Sequence, residues 1–183
     1  MIQKYLITDP SYLSHDKKIF EEKLTQAFNK HQPDFALYRD KAYEAYEELA
    51  KIFVKVCHHY GVKAMLHNHA KLAASIKAYG VHYSSDKLCS IGHHDKTLYT
   101  VLSTHEIAQI VAATELGIDA VTFSPIFSTP NKGKPVGVVK LKEVVNASRL
   151  PIIALGGIIE EDQINEVEKA GAFAFASIRY FCD

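Results

Sequence analysis

Eight short apolar runs alternate with stretches of helical pattern along this chain, and the alternation limits the folds open to it. The pattern predicts strands over residues 3–8, 34–38, 63–67, 80–83, 98–103, 120–124, 152–155 and 172–176. It predicts helices over residues 17–29, 43–60, 70–78, 105–116, 139–147 and 161–170. Eight strands that alternate with helices favour an α/β fold of the (β/α)8 TIM barrel type over an open doubly wound sheet.

The chain is short for that fold, with 183 residues against an average of about 250. The stretch 87–96 barely holds a helix, and residues 178–183 leave no room for a full helix after the eighth strand. We therefore expect a single shortened barrel domain over residues 1–183, with its last helix largely missing. A second copy of the chain could cover the apolar flank left open, so a homodimer is one expectation.

Composition argues against several partners. Lysine and arginine number 21, as do aspartate and glutamate, so neither nucleic acid nor an anionic membrane is an expected partner. The N-terminus lacks the long apolar stretch of a signal peptide, and no window approaches transmembrane length. Three cysteines without a C-x-x-C motif indicate reduced thiols. A cytoplasmic protein is the resulting expectation.

A glycine pair ends the seventh predicted strand. Gly156 and Gly157 follow the apolar run 151–155. Glycines there let backbone amides approach a ligand closely, and the helix that begins after them adds a field favourable to an anion. Ser177, after the eighth strand, can add an amide and a hydroxyl, and phosphate sites at strands 7 and 8 recur in such barrels. These residues predict a small phosphorylated ligand; the alternative is a simple tight turn.

Cations follow two further strands. Arg39 and Lys41, at i and i+2 after the second strand, can point together at an anion, or form an ordinary solvated pair. After the sixth strand, the loop 123–137 combines proline, glycine, hydroxyl groups and lysines, and is long enough to act as a lid. Within it, Lys132 offers charge for a phosphate, while Thr129 and Asn131 offer hydrogen bonds. The alternative is an ordinary connecting loop.

Histidines near two strand ends are candidates for chemistry. His105 is expected in the first turn of a helix capped by Ser103 or Thr104, where the helix dipole disfavours a protonated ring. A neutral imidazole at a barrel mouth suits proton transfer near neutral pH; the alternative is a turn histidine without chemistry. His67 and His69, at i and i+2 after the third strand, could ligate a metal, but no second cluster with ligand spacing accompanies them.

Together these residues resemble the thiamine-phosphate synthase family and its sister group, the TenI-type thiazole tautomerases. The resemblance is carried by Tyr5-Leu-Ile-Thr-Asp9, Arg39-x-Lys41, His67-Asn68, Gly80-Val-His82, Ser103-Thr-His105, Phe123-Ser-Pro-Ile-Phe-Ser-Thr-Pro-Asn-Lys132, Leu155-Gly-Gly-Ile158 and Ala176-Ser177. It implies a (β/α)8 barrel that binds small phosphorylated substrates and acts in thiamine biosynthesis.

The resemblance also implies roles for single residues. A synthase joins a pyrimidine diphosphate to a thiazole phosphate, and the leaving diphosphate would be neutralised by Mg²⁺ and by the positions Arg39, Lys41, Asn68, Ser103 and Lys132. The thiazole phosphate would lie on amides of Gly157 and of the Ala176-Ser177 turn. A tautomerase would use no metal or other cofactor, and His105 would be its acid and base.

Three departures from the family pattern matter, and two of them weaken the metal half of the site. The glutamine of Gln-Leu-Arg-Glu-Lys, which contacts the pyrimidine, is Leu37 here, and the aspartate of Asn-Asp is His69. The aspartate of His-x-Gly-Gln-x-Asp is Lys87, with Asp86 one residue early as the one candidate metal ligand. Since Mg²⁺ prefers carboxylate oxygens, a tautomerase is the leading prediction. A divergent synthase is the alternative, and a non-catalytic or regulatory binder of thiazole phosphate is the third.

Overall fold

The computed structural model describes residues 1–91, 97–130 and 132–182, and its eight strands close into a parallel barrel. The strands are β1 (Gln3–Ile7), β2 (Phe35–Tyr38), β3 (Lys63–His67), β4 (Gly80–Tyr83), β5 (Tyr99–Thr104), β6 (Ala120–Phe123), β7 (Ile152–Leu155) and β8 (Ala174–Ser177). The helices are α1 (Lys17–His31), α2 (Tyr46–Tyr60), α3 (Ala70–Ser75), α4 (Ile107–Glu115), α5 (Gly137–Ala147) and α6 (Glu161–Lys169). Each strand pairs in parallel with the next, and β8 pairs with β1. The predicted (β/α)8 barrel is confirmed.

Alternate residues of each strand face opposite sides of the sheet, which gives the barrel two apolar layers. The inner layer fills the barrel with buried side chains, among them Tyr5, Phe35, Leu37, Met65, Val101 and Ile153. The outer layer includes Leu6, Leu66 and Val121, which belong to the larger cluster shared with the helices. Because the inside is filled, a ligand cannot enter the barrel itself and would lie at the rim, where active sites of such barrels are found at the carboxyl ends of the strands.

Several helix ends differ from the sequence prediction, and the largest shifts are at the start of α2 and the end of α3. α2 begins at residue 46 rather than 43, after a turn in which Asp40 Oδ1 accepts hydrogen bonds from the amides of Ala42 and Tyr43. α3 ends at residue 75 rather than 78, and Lys77 adopts a left-handed conformation with φ of 58° that leads into β4. None of the described helices combines the length and apolar composition that a membrane crossing requires.

Two connections contain only a 3₁₀ helix in the described chain. One is Ser85–Ser90 after β4, and the other is Arg179–Phe181 after β8. Phe181 is buried and stacks on Phe175, with ring centroids 5.8 Å apart. Beside it a cavity of about 330 Å³ remains, lined by residues of β1 and α1 such as Leu6 and Leu24. A partly apolar groove therefore lies on this flank of the barrel.

Candidate active site

The carboxyl ends of the strands surround a cavity of about 310 Å³, here called the mouth cavity. Its apolar wall consists of Ile7, Leu37, Leu155 and Ile178, and the rest carries cations, imidazoles and hydroxyl groups. A cavity of about 290 Å³ between α4 and α5 and the 330 Å³ groove beside α1 are similar in volume. Volume therefore does not identify the site. The mouth cavity is distinguished by convergent polar groups beside an apolar wall, as ligand sites are.

Three cations line the mouth cavity: Arg39 and Lys41 after β2, and Lys132 from the loop after β6. The backbone of Arg39 is held beside the end of β1, because its amide donates to Thr8 Oγ1 at 2.9 Å. None of the ion pairs found between described residues involves these three cations. Positive charge without a carboxylate partner in a cavity attracts a polyanion.

Asp40 lies between Arg39 and Lys41 in sequence but shapes their loop instead of pairing with them. Its Oδ1 accepts two loop amides, and its Oδ2 lies 2.7 Å from His15 Nε2. The His15 ring stacks on Tyr43 with centroids 4.0 Å apart. Both oxygens of the buried Asp40 carboxylate therefore have partners elsewhere, and the charges of Arg39 and Lys41 remain available to a ligand.

The end of β3 contributes His67 directly and Asn68 indirectly. His67 lines the mouth cavity, and burial, followed by the charges of Arg39 and Lys41, lowers its pKa to about 4, so the ring is neutral at pH 7. Asn68 braces the loop after β4, since its Oδ1 accepts from the amide of Ser84 at 2.9 Å and its Nδ2 donates to Ser84 Oγ at 3.0 Å. Ser84 then lines the cavity, whereas Asn68 stands behind it.

A buried chain of hydrogen bonds connects the barrel interior with the mouth cavity. Tyr5 Oη lies 3.0 Å from His82 Nδ1, and His82 Nε2 lies 3.0 Å from Ser103 Oγ. Tyr5 and His82 are inaccessible to solvent or nearly so, while Ser103 lines the cavity. Burial, followed by the nearby His67 and Arg39, lowers the pKa of His82 to about 3. The imidazole is therefore neutral, with one donor and one acceptor nitrogen.

His105 lines the mouth cavity, but it precedes helix α4, so its predicted place in the first helical turn is wrong. Gln109 Oε1 accepts hydrogen bonds from the amides of His105 and Glu106 at 2.7 and 3.3 Å, and the helix begins after them. The predicted caps, Ser103 and Thr104, lie within β5 instead.

The His105 ring is oriented by Ser124. Its Nδ1 lies 2.9 Å from the backbone oxygen of Ser124 and 3.2 Å from the Ser124 hydroxyl. Because a carbonyl oxygen can only accept, Nδ1 carries the proton of the neutral ring and Nε2 is left as an acceptor. No partner of Nε2 is found in the part of the chain that the structure describes. His105 can therefore present a base to a ligand.

The glycine pair after β7 lies against the loop that follows β6. Both residues are left-handed, with φ of 104° at Gly156 and 70° at Gly157. A Cβ at Gly157 would lie 2.5 Å from the carbonyl oxygen of Ser128, and one at Gly156 would lie 2.8 Å from Pro125 Cα. Because neither glycine has a Cβ, the loop after β6 can pack directly against this turn. Their own amides have no acceptor among the described residues, which leaves two donors for an anion.

The loop after β6 brings two of its three predicted ligand residues to the mouth cavity, Thr129 and Lys132. The Lys132 amide donates to the Thr129 carbonyl at 3.3 Å, so the two residues form one turn. Thr129 Oγ1 donates to the carbonyl of Phe127 at 3.1 Å. The third predicted residue, Asn131, lies outside the described residues. Action of the loop as a lid stays a prediction.

The end of β8 differs from the sequence prediction. Ser177 is the last residue of the strand rather than the residue after it, and its hydroxyl donates to the carbonyl of Ile158 at 2.7 Å. That proton is engaged here, and the use of Ser177 for an anion stays a prediction. Ala176 is buried inside the barrel, and the next inward residue, Ile178, lines the cavity instead.

The mouth cavity offers a single carboxylate to a metal. Within the described residues, no cluster of three or more His, Cys, Asp or Glu is placed to hold an ion, so His67 and His69 do not form one. The His69 ring stacks on Tyr46, with centroids 4.3 Å apart. Asp86 lines the cavity, and a hydrogen bond from Ser84 lowers the pKa of its carboxyl, which keeps it ionised. Since Mg²⁺ is commonly held by one or two carboxylates together with substrate phosphates, these residues fit an ion that arrives with a diphosphate rather than a resident one.

Several lining residues were missed by the sequence analysis. Ile7, Leu155 and Ile178 complete the apolar wall, and Ser84 and Ser124 add hydroxyl groups. Each lies two residues beyond another inward-facing position of its strand. The period-two alternation of barrel strands was therefore a signal that could have found them.

Comparisons with known proteins point in one direction. The family model described as thiamine monophosphate synthase matches residues 4–181. The thiamine-phosphate synthase of Pelotomaculum thermopropionicum is 37% identical over 153 residues, which cover 77% of this chain and 68% of that protein. The enzyme of the same name from Nitrosococcus oceani is 33% identical over 150 residues, which cover 77% of this chain and 68% of that enzyme. The structure of thiamine phosphate pyrophosphorylase from Pyrococcus furiosus superimposes with a TM-score of 0.79 at 21% identity. The superposition covers 97% of this chain and 85% of the Pyrococcus furiosus chain, and it supports the fold.

Proposed function

Because the chain belongs to the thiamine monophosphate synthase family, and thus to thiamine biosynthesis, we propose that it is a thiamine-phosphate synthase. The reaction joins a pyrimidine diphosphate to a thiazole phosphate and releases diphosphate. The relatives are named as synthases, which favours this activity over the tautomerase that led the sequence-based predictions. One observation carries the proposal: three cations without carboxylate partners converge on a cavity that also has an apolar wall.

The cationic side of the mouth cavity suits the departure of diphosphate. The bond that breaks joins the methylene carbon of the pyrimidine to a diphosphate oxygen, and its electron pair leaves with that oxygen. Arg39, Lys41 and Lys132 stabilise the negative charge that develops, and Arg39 can bind two phosphate oxygens at once. When bound, Mg²⁺ supplies further positive charge to the diphosphate, and Asp86 is the residue that would hold it.

Other residues at the cavity suit the two rings and the thiazole phosphate. Ile7, Leu37 and Leu155 provide an apolar surface on which planar rings can pack. Gly156 lines the cavity and its free amide offers a donor to the thiazole phosphate, and the amide of Gly157 follows directly behind it in the chain. The ring nitrogen of the thiazole then bonds to the methylene carbon, which completes thiamine phosphate.

A thiazole tautomerase is the second candidate, and the geometry of His105 favours it. With Nδ1 held by the Ser124 carbonyl, Nε2 is a base at the cavity surface that can take and return a proton. Such a reaction uses the phosphate-binding side of the cavity and needs neither diphosphate nor a metal.

The two candidates are separated by assaying purified protein for thiamine phosphate with both substrates, with and without Mg²⁺, and for isomerisation of the thiazole carboxylate phosphate alone. A synthase forms thiamine phosphate, and Lys132→Ala lowers kcat by about 100-fold because one charge-stabilising group is lost. The control is Lys140→Ala, which removes a lysine paired with Glu143 on α5 and should leave kcat unchanged.

Two outcomes would contradict the synthase, and a third would contradict the role given to its cations. Isomerisation without coupling, abolished by His105→Ala, would establish the tautomerase. No turnover in either assay, with thiazole phosphate still raising the melting temperature, would indicate a binding protein. Coupling that Lys132→Ala and Lys140→Ala slow equally would remove the role given to the cationic side.

A further inference from the structure

The chain from Tyr5 through His82 to Ser103 admits two arrangements of its protons. In the first, Tyr5 donates to Nδ1, Nε2–H donates to Ser103, and the Ser103 hydroxyl proton is free. In the second, Ser103 donates to Nε2, Nδ1–H donates to Tyr5, and the phenol proton is free. The oxygen–nitrogen distances of 3.0 Å at both links are compatible with either.

The surroundings of Tyr5 decide between the two arrangements. Its side chain is completely buried in the inner apolar layer, with the Phe35 ring centroid 5.7 Å from its own. His82 is the one hydrogen-bond partner found for its hydroxyl among the described residues. The second arrangement would leave a phenol proton without an acceptor in an apolar interior, which is costly. In the first, the free proton belongs to Ser103, which lines the mouth cavity and can meet a ligand or water.

We propose that Tyr5 and His82 are positioning residues that make Ser103 a dedicated hydrogen-bond donor to an anionic oxygen of bound diphosphate. A serine hydroxyl can ordinarily rotate to donate or accept. Here the Nε2–H of His82 occupies a Ser103 lone pair and directs the hydroxyl proton toward the cavity, where Arg39 and Lys132 also lie. Diphosphate accepts hydrogen bonds at every oxygen, so a fixed donor favours it over neutral ligands. The choice of diphosphate rests on the proposed function.

The test is the binding of inorganic diphosphate, with Mg²⁺ present, measured by calorimetry on the full chain. We expect Ser103→Ala to weaken binding about tenfold, the typical value for a hydrogen bond to a charged group. Tyr5→Phe should weaken it about three- to tenfold, because the imidazole can then adopt the other tautomer and draw the Ser103 proton away. In the Ser103→Ala background, Tyr5→Phe should have no further effect. Tyr99→Phe is the control, since its hydroxyl has no partner among the described residues.

A tautomer measurement needs no variant. Nitrogen-15 NMR of the wild-type protein should show His82 protonated at Nε2 and bare at Nδ1, and Tyr5→Phe should shift that balance. A proton at Nδ1 in the wild type would overturn the proposal. The proposal would also fail if Tyr5→Phe weakened diphosphate binding equally in the wild type and in Ser103→Ala, or if the protein did not bind diphosphate. Diphosphate binding with the expected couplings but no thiamine phosphate would instead remove the proposed function and leave this inference standing.

Discussion

Asp86 is the one carboxylate that lines the mouth cavity in the described chain, so the metal dependence of coupling should depend on it. Asp86→Asn keeps the size of the side chain and an acceptor for Ser84 but removes the charge that Mg²⁺ prefers. We expect the Mg²⁺ concentration for half-maximal rate to rise by about tenfold or more. Initial rates at saturating substrates, measured across a Mg²⁺ titration, give this value directly.

The matched control is Asp9→Asn at the end of β1. Asp9 accepts hydrogen bonds from Ser11 and does not line the mouth cavity, so the Mg²⁺ requirement should stay as in the wild type. An unchanged requirement in Asp86→Asn would mean that the substrate phosphates hold the ion without help from this carboxylate.

Single residues also mark the limit of what the sequence could predict about the site. Position after a strand predicted that Arg39, Lys41 and Lys132 would reach the rim, since every strand of a parallel barrel ends on the same side. It could not predict that Ser177 donates its proton to Ile158. Such partners come from other strand ends, and their identity depends on how the strands lie side by side.

At the scale of elements, the contact between the turn after β7 and the loop after β6 yields a stability prediction. Gly157→Ala places a Cβ 2.5 Å from the Ser128 oxygen at a φ of 70°, whereas Gly61→Ala meets nothing within 4 Å at a φ of 68°. Both variants pay the cost of a left-handed alanine, about 1 kcal/mol, and Gly157→Ala adds a backbone clash of about 1–3 kcal/mol. Urea unfolding of the two variants measures the difference, and equal losses would show that the loop moves aside freely.

The elements themselves followed from periodicity, because burial on both faces makes a strand uniformly apolar and burial of one face gives a helix its stripe. All eight strands and six helices occur where the pattern predicts them. Their ends were less predictable, because side chains decide them. Asp40 accepts from two amides in the turn before α2, and Gln109 accepts from the amides that precede α4.

At the scale of the whole molecule, barrel closure assembles groups that are distant in sequence. Tyr5 and His82 are 77 residues apart, and Ser103 follows 21 residues later, yet one chain of hydrogen bonds joins them. The parallel register of β1, β4 and β5 within a closed sheet creates this series of hydrogen bonds, so no local sequence pattern could predict it. The same closure places two imidazoles, of His82 and His67, in a site that excludes water from most of their surface.

These two imidazoles make the stability of the barrel depend on pH. Burial, with His67 and Arg39 nearby, lowers the pKa of His82 to about 3, and burial, with Arg39 and Lys41 nearby, lowers the pKa of His67 to about 4. In the unfolded chain both imidazoles have a pKa near 6.5. Each unit by which folding lowers a pKa corresponds to about 1.4 kcal/mol of free energy. Between about pH 6.5 and pH 4 the unfolded state therefore binds more protons, and the folded state loses stability as the pH falls.

We expect the free energy of unfolding to be constant from pH 8 to 7 and to fall by about 2–4 kcal/mol by pH 5, once both imidazoles are counted. His82→Gln removes one of the two groups with the largest shifts and should reduce that fall by at most about half, since burial also lowers the pKa of His31 and of His69. His59→Gln, at an exposed position on α2, should leave the fall unchanged. Urea unfolding at pH 8, 6 and 5 tests all three proteins. Parallel curves of unfolding free energy against pH for the wild type and His82→Gln would contradict the prediction, because they would mean that the pKa of His82 is the same in the folded and unfolded states.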